Sequence, residues 1–391
     1  MKQLIDIVNF NADASCLSSA EWLKILKGGS ESKFYKWLNL FVKKRKMVVL
    51  GFPGATIADL ATFNPEAIGL INANPDIFEM ILRPFAHDVG LLRQDPGFEM
   101  NFSYGKKIIC REFINIANYF LPPEFMATND QVYKMKKMGV KGIFSNPSRF
   151  SNEIKDRLPK TPFQLKGFDG IKMECIPFEE GLTKKYLWAI QQFDCFPWNL
   201  HIAESSREFI FSWRDGESLF FLPEGVEREE YWLTHEADSI QRSHLQSIPS
   251  KILNNENLIE YQFHAYPIHS CLSWMKEFRL LGFINRIMKI ENKLDALTEE
   301  EIHIWLLAIN SDIMSSIEKA SPVVNLKLSS KSSNFINHKI YRSERWFEGE
   351  EYLMRLENFD FPRDVLENNG ENLQPHMVKM GARLAYLSAL G

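Results

Sequence analysis

The chain has 391 residues, is 45% hydrophobic and 25% charged, and carries a formal net charge of −4. That is a soluble globular composition with ample length for a large core, and no segment approaches the roughly 18 consecutive apolar residues of a membrane span. The densest basic run, Lys43–Lys46, is too short for a nucleic-acid patch and reads as the close of a helix. In chain order, "LIDIVNF" (Leu4–Phe10) is β-rich, and "SAEWLKILKGG" and "KFYKWLNLFVKKR" carry helical apolar spacing. "MVVLGF" (Met47–Phe52) is a buried-strand run, and "TIADLATFNPEAIGLINANP" holds helical segments interrupted at Pro65. "FEMILRPF" (Phe78–Phe85) is strand-like and "FEMNFSYGKKIICREFI" helical. "NYFLPPEF" and "VKGIF" (Val140–Phe144) are strands around a helix opened by Thr128 and Asn129.

The middle of the chain is less regular. "QLKGFDGIKMECIPF" (Gln164–Phe178) reads as a hairpin-like insertion turning at Asp169-Gly170. "LTKKYLWAIQQF" is a helix, "EFIFSWRDGES" (Glu208–Ser218) a strand running into a turn, and "EREEYWLTHEADSIQRSHLQSI" a charged helix. From about Leu272 long helical patterns follow without intervening strands, one opened by the capping box Thr298–Glu301. The βαβα rhythm of the first half implies a parallel sheet with helices outside it. A parallel α/β barrel over residues 1–270 is expected, with a mainly helical C-terminal region, 271–391, packed on it. In such barrels chemistry lies where strands end.

Cys16, Cys110, Cys175, Cys195 and Cys271 form no C-x-x-C pair, and their odd number argues against a full disulfide framework. The first residues lack an uninterrupted apolar core and a small-residue cleavage site, so they read as a first strand rather than a signal peptide. A reducing, cytoplasmic compartment is the expectation.

Two acids stand out, Glu124 and Asp215, 91 positions apart. Each follows an aromatic-rich strand-like segment. Cleavage of a glycosidic bond needs such a pair, one carboxylate as nucleophile or base and the other as proton donor. Taken singly, each reads first as a turn cap or as an ion-pair partner of a neighbour such as Arg214. Their surroundings change that weighting. "NYFLPPEFMATNDQVYKMKKMGVKGIF" resembles the nucleophile region of glycoside hydrolase family 57. "FIFSWRDGESLFF" (Phe209–Phe221) resembles that family's proton-donor region, and "EMILRPFAHDVGLLR" (Glu79–Arg93) its upstream His-containing region. The three occur in family order over roughly residues 1–285.

The resemblance implies a distorted parallel (β/α)7 barrel with a C-terminal helical region. It implies a retaining glycoside hydrolase or transglycosidase acting on an α-linked glucan or related oligosaccharide. Glu124 would be the nucleophile and Asp215 the general acid/base, facing one cleft about 5–5.5 Å apart. Arg214 should face away from that cleft by strand alternation. His87 and Trp213 would border the cleft, with Asp88 placed to fix the His87 tautomer. The family's first motif, His-Gln-Pro, is replaced by "NFNADASC", so Asn11 and Asp13 stand where sugar contacts are expected. "YQFHAYPIHSCLSWMKEF" (Tyr261–Phe278) corresponds weakly to a further aromatic region, making His264, Tyr266, His269 and Trp274 candidate substrate contacts. No metal or cofactor is implied; an oligosaccharide or polysaccharide is the expected partner, and neither nucleic acid nor membrane is. Two rivals share the scaffold. One is a metal-dependent deacetylase using Asp13 and His87, although Leu91 stands where its second His would fall. The other is a catalytically silent carbohydrate-binding protein.

Overall fold

The computed structural model describes residues 2–14, 17–127, 129–146, 160–166, 170–179, 181–253, 258–259, 278–310, 313, 348–357 and 363–390. Ten strands are described: β1 (Lys2–Asn9), β2 (Val48–Gly51), β3 (Phe78–Leu82), β4 (Ile116–Phe120), β5 (Gly142–Ser145), β6 (Phe163–Lys166), β7 (Lys172–Pro177), β8 (Phe209–Asp215), β9 (Ile240–Arg242) and β10 (Leu258–Ile259). They form one sheet in the order β10-β6-β7-β5-β4-β3-β2-β1-β8, with β9 paired to β1. Along β7-β5-β4-β3-β2-β1-β8 every pairing is parallel. β6 runs antiparallel to β7, so Gln164–Phe178 contains the hairpin its sequence suggests.

These seven parallel strands curl into a barrel-like sheet that no ladder closes among the described residues. At the open seam the chain just past β7 meets β8: the Glu179 N–H donates to the Phe211 carbonyl at 2.7 Å. The rings of Phe178 and Trp213 lie 6.4 Å apart across it. This is the distorted α/β architecture expected from the sequence.

Side-chain alternation divides the core in two. Ile5, Ile7, Val49, Ile81, Tyr119, Phe144, Ile176 and Phe211 point inward and make a small apolar cluster inside the sheet. Leu4, Val8, Val48, Leu50, Met80, Leu82 and Ile210 point outward under the helices and belong to the larger cluster. Burial on both faces is why the strand runs read as nearly continuous apolar stretches. The floor of the interior is plugged by residues 245–248. Leu245 and Ile248 join the inner cluster, and the Leu245 and Gln246 N–H groups donate to Glu79 at 2.6 and 3.2 Å.

The helices follow local chemistry. α1 (Ser19–Leu26) opens on a Ser18/Glu21 capping box. α2 (Lys33–Lys44) ends at Arg45 in the left-handed region, so the basic run does close a helix. α3 (Gly54–Phe63) and α4 (Pro65–Ala73) are separated at Asn64, whose side chain accepts from Ala67 N–H with Pro65 in the first helical turn. α5 (Asp95–Glu112) and α6 (Asn129–Lys137) flank β4 in sequence. α7 (Leu182–Gln192), α8 (Phe196–Glu204), α9 (Gly225–His235) and α10 (Ser250–Leu253) follow the insertion. α11 (Phe278–Glu291), α12 (Glu299–Ala308) and α13 (Arg363–Leu390) make up the C-terminal helices. α12 opens on the expected Thr298/Glu301 capping box. The expected boundary near residue 270 lies outside the described residues. No helix among the described residues is long and apolar enough to cross a membrane, and Cys110, Cys175 and Cys195 are free thiols.

One expected element is different. The charged helix read over 227–248 ends at His235, and Ile240–Arg242 is instead strand β9 against β1. The reason is electrostatic. Arg242 is buried and bonds Glu236 at 3.0 Å and Asp6 at 2.8 Å, so charges that look solvated in sequence are enclosed. Arg214 joins the same group, 3.2 Å from Asp6 and 2.9 Å from Glu229, on the outer face as alternation requires.

α13 is tied down by a buried histidine. His376 Nδ1 lies 3.1 Å from Glu348 and Nε2 3.5 Å from Glu351, while Ser19 of α1 donates to Glu348 at 3.2 Å. Burial alone would lower the His376 pKa, but the two carboxylates outweigh it and raise it to about 9. The folded state therefore holds this proton more tightly than the unfolded chain. The stabilisation is fully present below pH ~6.5 and is lost as pH rises through about 9. Between pH 6.5 and 9.5 the wild type should lose up to about 3 kcal/mol more than His376→Gln. Parallel denaturant titrations of the two proteins at both pH values read the difference, and equal losses would refute it.

Candidate functional site

A cavity of about 170 Å3 opens at the C-terminal ends of the parallel strands. It is lined by Asn9, Asn11, Ala14, Arg83, His87, Leu121, Pro122, Glu124, Phe125, Trp213, Asp215 and Glu217. One water needs on the order of 10–15 Å3 of such space, so the cavity has room for several. The inward register explains the membership. Asn9 ends β1 and Asp215 ends β8, and the two are cross-strand partners. Trp213 shares the Asp215 face two residues earlier.

Glu124 reaches the cavity through an unusual backbone. Leu121-Pro122 leaves β4, and Pro123–Phe125 forms a single 3-10 turn in which Glu124 has φ 53° and ψ 12°. Phe125 follows with φ 59°. Two successive non-glycine residues in the left-handed region cost on the order of 1–2 kcal/mol each. Such strain persists where its surroundings fix it, typically at functional sites. Here the prolines set the entry, and Phe125 anchors the turn against Trp213 (ring centroids 4.8 Å, 80° between planes) and Phe178 (5.4 Å). The Trp213 carbonyl is held by the Thr183 hydroxyl.

Asp215 is oriented from β1. Asn9 Nδ2 donates to its Oδ1 at 3.0 Å, and Ser218 donates to its carbonyl at 2.7 Å. Gly216 is required beside it, because a Cβ there would lie 2.8 Å from Val8. Glu217, a third acid in the wall, accepts from the Asn11 N–H at 3.3 Å. The turn carrying Arg83 and His87 is seated on α5. Asn101 accepts from Phe85 N–H at 2.9 Å and from Ala86 N–H at 2.8 Å. Gly105 allows this approach, since a Cβ would stand 2.3 Å from the Arg83 carbonyl.

The electrostatics centre on Arg83, which is 1% exposed. Burial lowers its pKa to about 10, against the opposing pull of Glu217, Asp215 and Glu124, so it remains a cation at neutral pH. His87 is held well below the usual histidine range, first by burial and then by Arg83, so its imidazole is neutral.

The sequence expectations divide as follows. Glu124, Asp215, Asn11, His87 and Trp213 line one cavity. Asp13 does not line it. Its carboxylate turns into a buried ion network, 2.7 Å from both Lys379 and Arg383, and also accepts from Asn310 at 3.1 Å. This answers the deacetylase expectation for Asp13, whose oxygens are held by cations. No cluster of three His, Cys, Asp or Glu side chains placed to hold a metal occurs among the described residues. Asp88 does not serve the His87 tautomer but pairs with Arg93 at 3.2 Å. His264, Tyr266, His269 and Trp274 lie outside the described residues. Sequence reasoning missed Arg83, Asn9 and Glu217 as cavity residues. The period-2 pattern held a signal for Arg83, which shares the inward face with Glu79 and Ile81.

The fold is shared with carbohydrate-active enzymes. The GH57-type branching enzyme from the hyperthermophilic archaeon Pyrococcus horikoshii matches with a TM-score of 0.66 at 11% identity, over 99% of this chain and 96% of that one. The α-amylase AmyC from Thermotoga maritima matches at 0.54 and 8% identity, over 96% and 97%. The 4-α-glucanotransferase from Thermococcus litoralis matches at 0.55 and 12% identity over 90% of this chain, which spans only 60% of that enzyme's length. At such identities the likeness is one of fold, and it agrees with the motif resemblance read from the sequence. No protein-family model matches the chain, and no curated protein does.

Proposed function

We propose that the chain is a retaining glycoside hydrolase or transglycosidase acting on an α-linked glucan or related oligosaccharide, with Glu124 as nucleophile and Asp215 as acid/base. The observation that carries this reading is that Glu124 and Asp215, from motifs 91 positions apart, line one cavity at the strand ends. The fold shared with a branching enzyme, an amylase and a glucanotransferase supports the α-glucan class.

In the first step a Glu124 oxygen attacks the anomeric carbon while Asp215 gives its proton to the leaving glycosidic oxygen. The C–O bond to the aglycone breaks and a glycosyl ester of Glu124 forms. In the second, Asp215 takes a proton from water, or from an acceptor sugar hydroxyl, whose oxygen displaces Glu124. Trp213 supplies an aromatic face beside the reacting ring, and neutral His87 and Asn11 serve as hydrogen-bond partners for its hydroxyls. The helices from 271 to 391 form, in the same proposal, a C-terminal region that supports the barrel mouth, in a protein of a reducing, cytoplasmic compartment.

The test is turnover of a panel of aryl α-glycosides and malto-oligosaccharides, followed by proton NMR of the first-formed product. Net retention of the α-anomer, with azide restoring part of the activity of Glu124→Ala, is expected. Inversion would make Glu124 a general base acting on water instead of the nucleophile, and activity indifferent to Glu124 yet abolished by a chelator would transfer the assignment to the deacetylase class. No turnover across the panel favours a silent sugar-binding protein.

A further inference from the structure

The proposed reaction leaves Arg83 without a task. Its Nη1 donates to the Leu121 carbonyl, while its buried Nε and Nη2 have no hydrogen-bond partner among the described residues. Asn9 presents the converse. Its Nδ2 is engaged with Asp215, and its buried Oδ1 has no partner among the described residues. Both side chains line the same cavity. Buried side-chain polar atoms without partners are exceptions that call for an explanation. A guanidinium withdrawn from water among Glu217, Asp215 and Glu124, yet hydrogen-bonded to none of them, keeps two donors open to a ligand.

The unpartnered atoms specify that ligand. Nε and Nη2 form one edge of a planar fork and ask for two neighbouring acceptor oxygens. Asn9 Oδ1 asks for a donor. A carboxylate or phosphate brings acceptors only, would leave Asn9 unmatched, and would add negative charge beside three acids. Sugar hydroxyls both donate and accept. We infer that Arg83 and Asn9 form a sugar-binding pair, the Arg83 Nε–Nη2 edge donating to two adjacent hydroxyl oxygens of a neutral ring and Asn9 Oδ1 accepting from a hydroxyl of the same ring. The inference rests on the cavity being a sugar site and names the kind of sugar: neutral, with a free vicinal diol.

Calorimetric titration of methyl α-D-glucopyranoside, maltotriose and D-glucuronate into wild type, Arg83→Met and Arg83→Lys tests it. At least one neutral probe should bind and lose tenfold or more in Arg83→Met. Arg83→Lys should not recover it, because lysine keeps the charge but not the paired donors. Glucuronate should bind no more tightly than the neutral sugars. Thermal melting checks the fold, and should Arg83→Met fail to fold, Arg83→Lys carries the comparison. Unchanged affinity in Arg83→Met, full recovery in Arg83→Lys, tighter binding of glucuronate, or no binding of any probe by wild type each overturns the inference. The two readings fail separately. Turnover that requires Glu124 but shows the same KM in Arg83→Met ends this inference alone. Arg83-dependent binding without turnover of any glycoside ends the hydrolase reading alone.

Discussion

Glu124→Gln should melt within a few degrees of wild type and lose on the order of 10^4-fold or more in turnover, equivalent to about 5.5 kcal/mol of transition-state stabilisation. The fold should survive because the position's backbone is held from outside the side chain. Pro122 and Pro123 set the approach, and Phe125 locks the turn against Trp213 and Phe178. Glutamine has the shape and left-handed cost of glutamate, so nothing in the turn changes except the charge. That charge is the attacking group, and no other carboxylate takes its place without moving. Glu217 is in the same wall, but its Oε2 accepts the Asn11 N–H and fixes the loop after β1. Asp215→Asn should fail differently. With a good phenolate leaving group the first step needs little protonation, so glycosylation should persist and a glycosyl-enzyme should accumulate. Mass spectrometry of the intact protein after mixing distinguishes the two. Turnover of Glu124→Gln within tenfold of wild type would show that Glu124 is not the nucleophile.

Much of the scaffold could be read from residue patterns because both faces of the inner strands are covered. Leu4–Phe10, Met47–Phe52 and Val140–Phe144 are nearly unbroken apolar runs for that reason. Glu124 was legible because a proline pair ends a strand in front of a lone acid. What escaped is charge that the fold encloses. Arg83 in "FEMILRPF" looks like a strand-end surface residue, and its burial depends on the Leu121 carbonyl and acids on a strand over 120 residues later. Arg242 looked like part of a solvated helix because Asp6, its partner, is 236 positions away. Asp13 misled for the same reason. Its place after β1 suggested a sugar or metal contact, but its partners lie in the last helix, 366 and 370 positions on. Local periodicity carries no information about a counter-ion at that separation.

That network makes Asp13 the residue whose loss should cost most in stability. Asp13 and Asp59 face Lys379 and Arg383 in a site closed to water, two acids against two cations. Lys379 lies 2.7 Å from Asp13 and 3.4 Å from Asp59, and Arg383 contacts Asp13 at 2.7 Å and Asp59 at 2.6 Å. Asp13→Ala leaves two buried cations with one carboxylate. Removing one partner of a buried ion pair costs about 3–5 kcal/mol, mostly from the charge left behind. A change of that size lowers Tm by roughly 4–6 °C in a chain of 391 residues. If the uncompensated charge is the cause, Arg383→Met in the Asp13→Ala background should not add its own full cost. It should recover more than about 1 kcal/mol relative to the sum of the single changes, because it removes the stranded cation and leaves Lys379 with Asp59. The loss should also reach the cleft. Lys379 donates to the Ala12 carbonyl at 3.0 Å, and the Asn11 side chain accepts from Asp13 N–H at 3.1 Å, so the loop that presents Asn11 is set by the last helix. A stability loss under about 1 kcal/mol, or strictly additive double-variant costs, would mean that solvent reaches this network and that α13 docks by its apolar face alone.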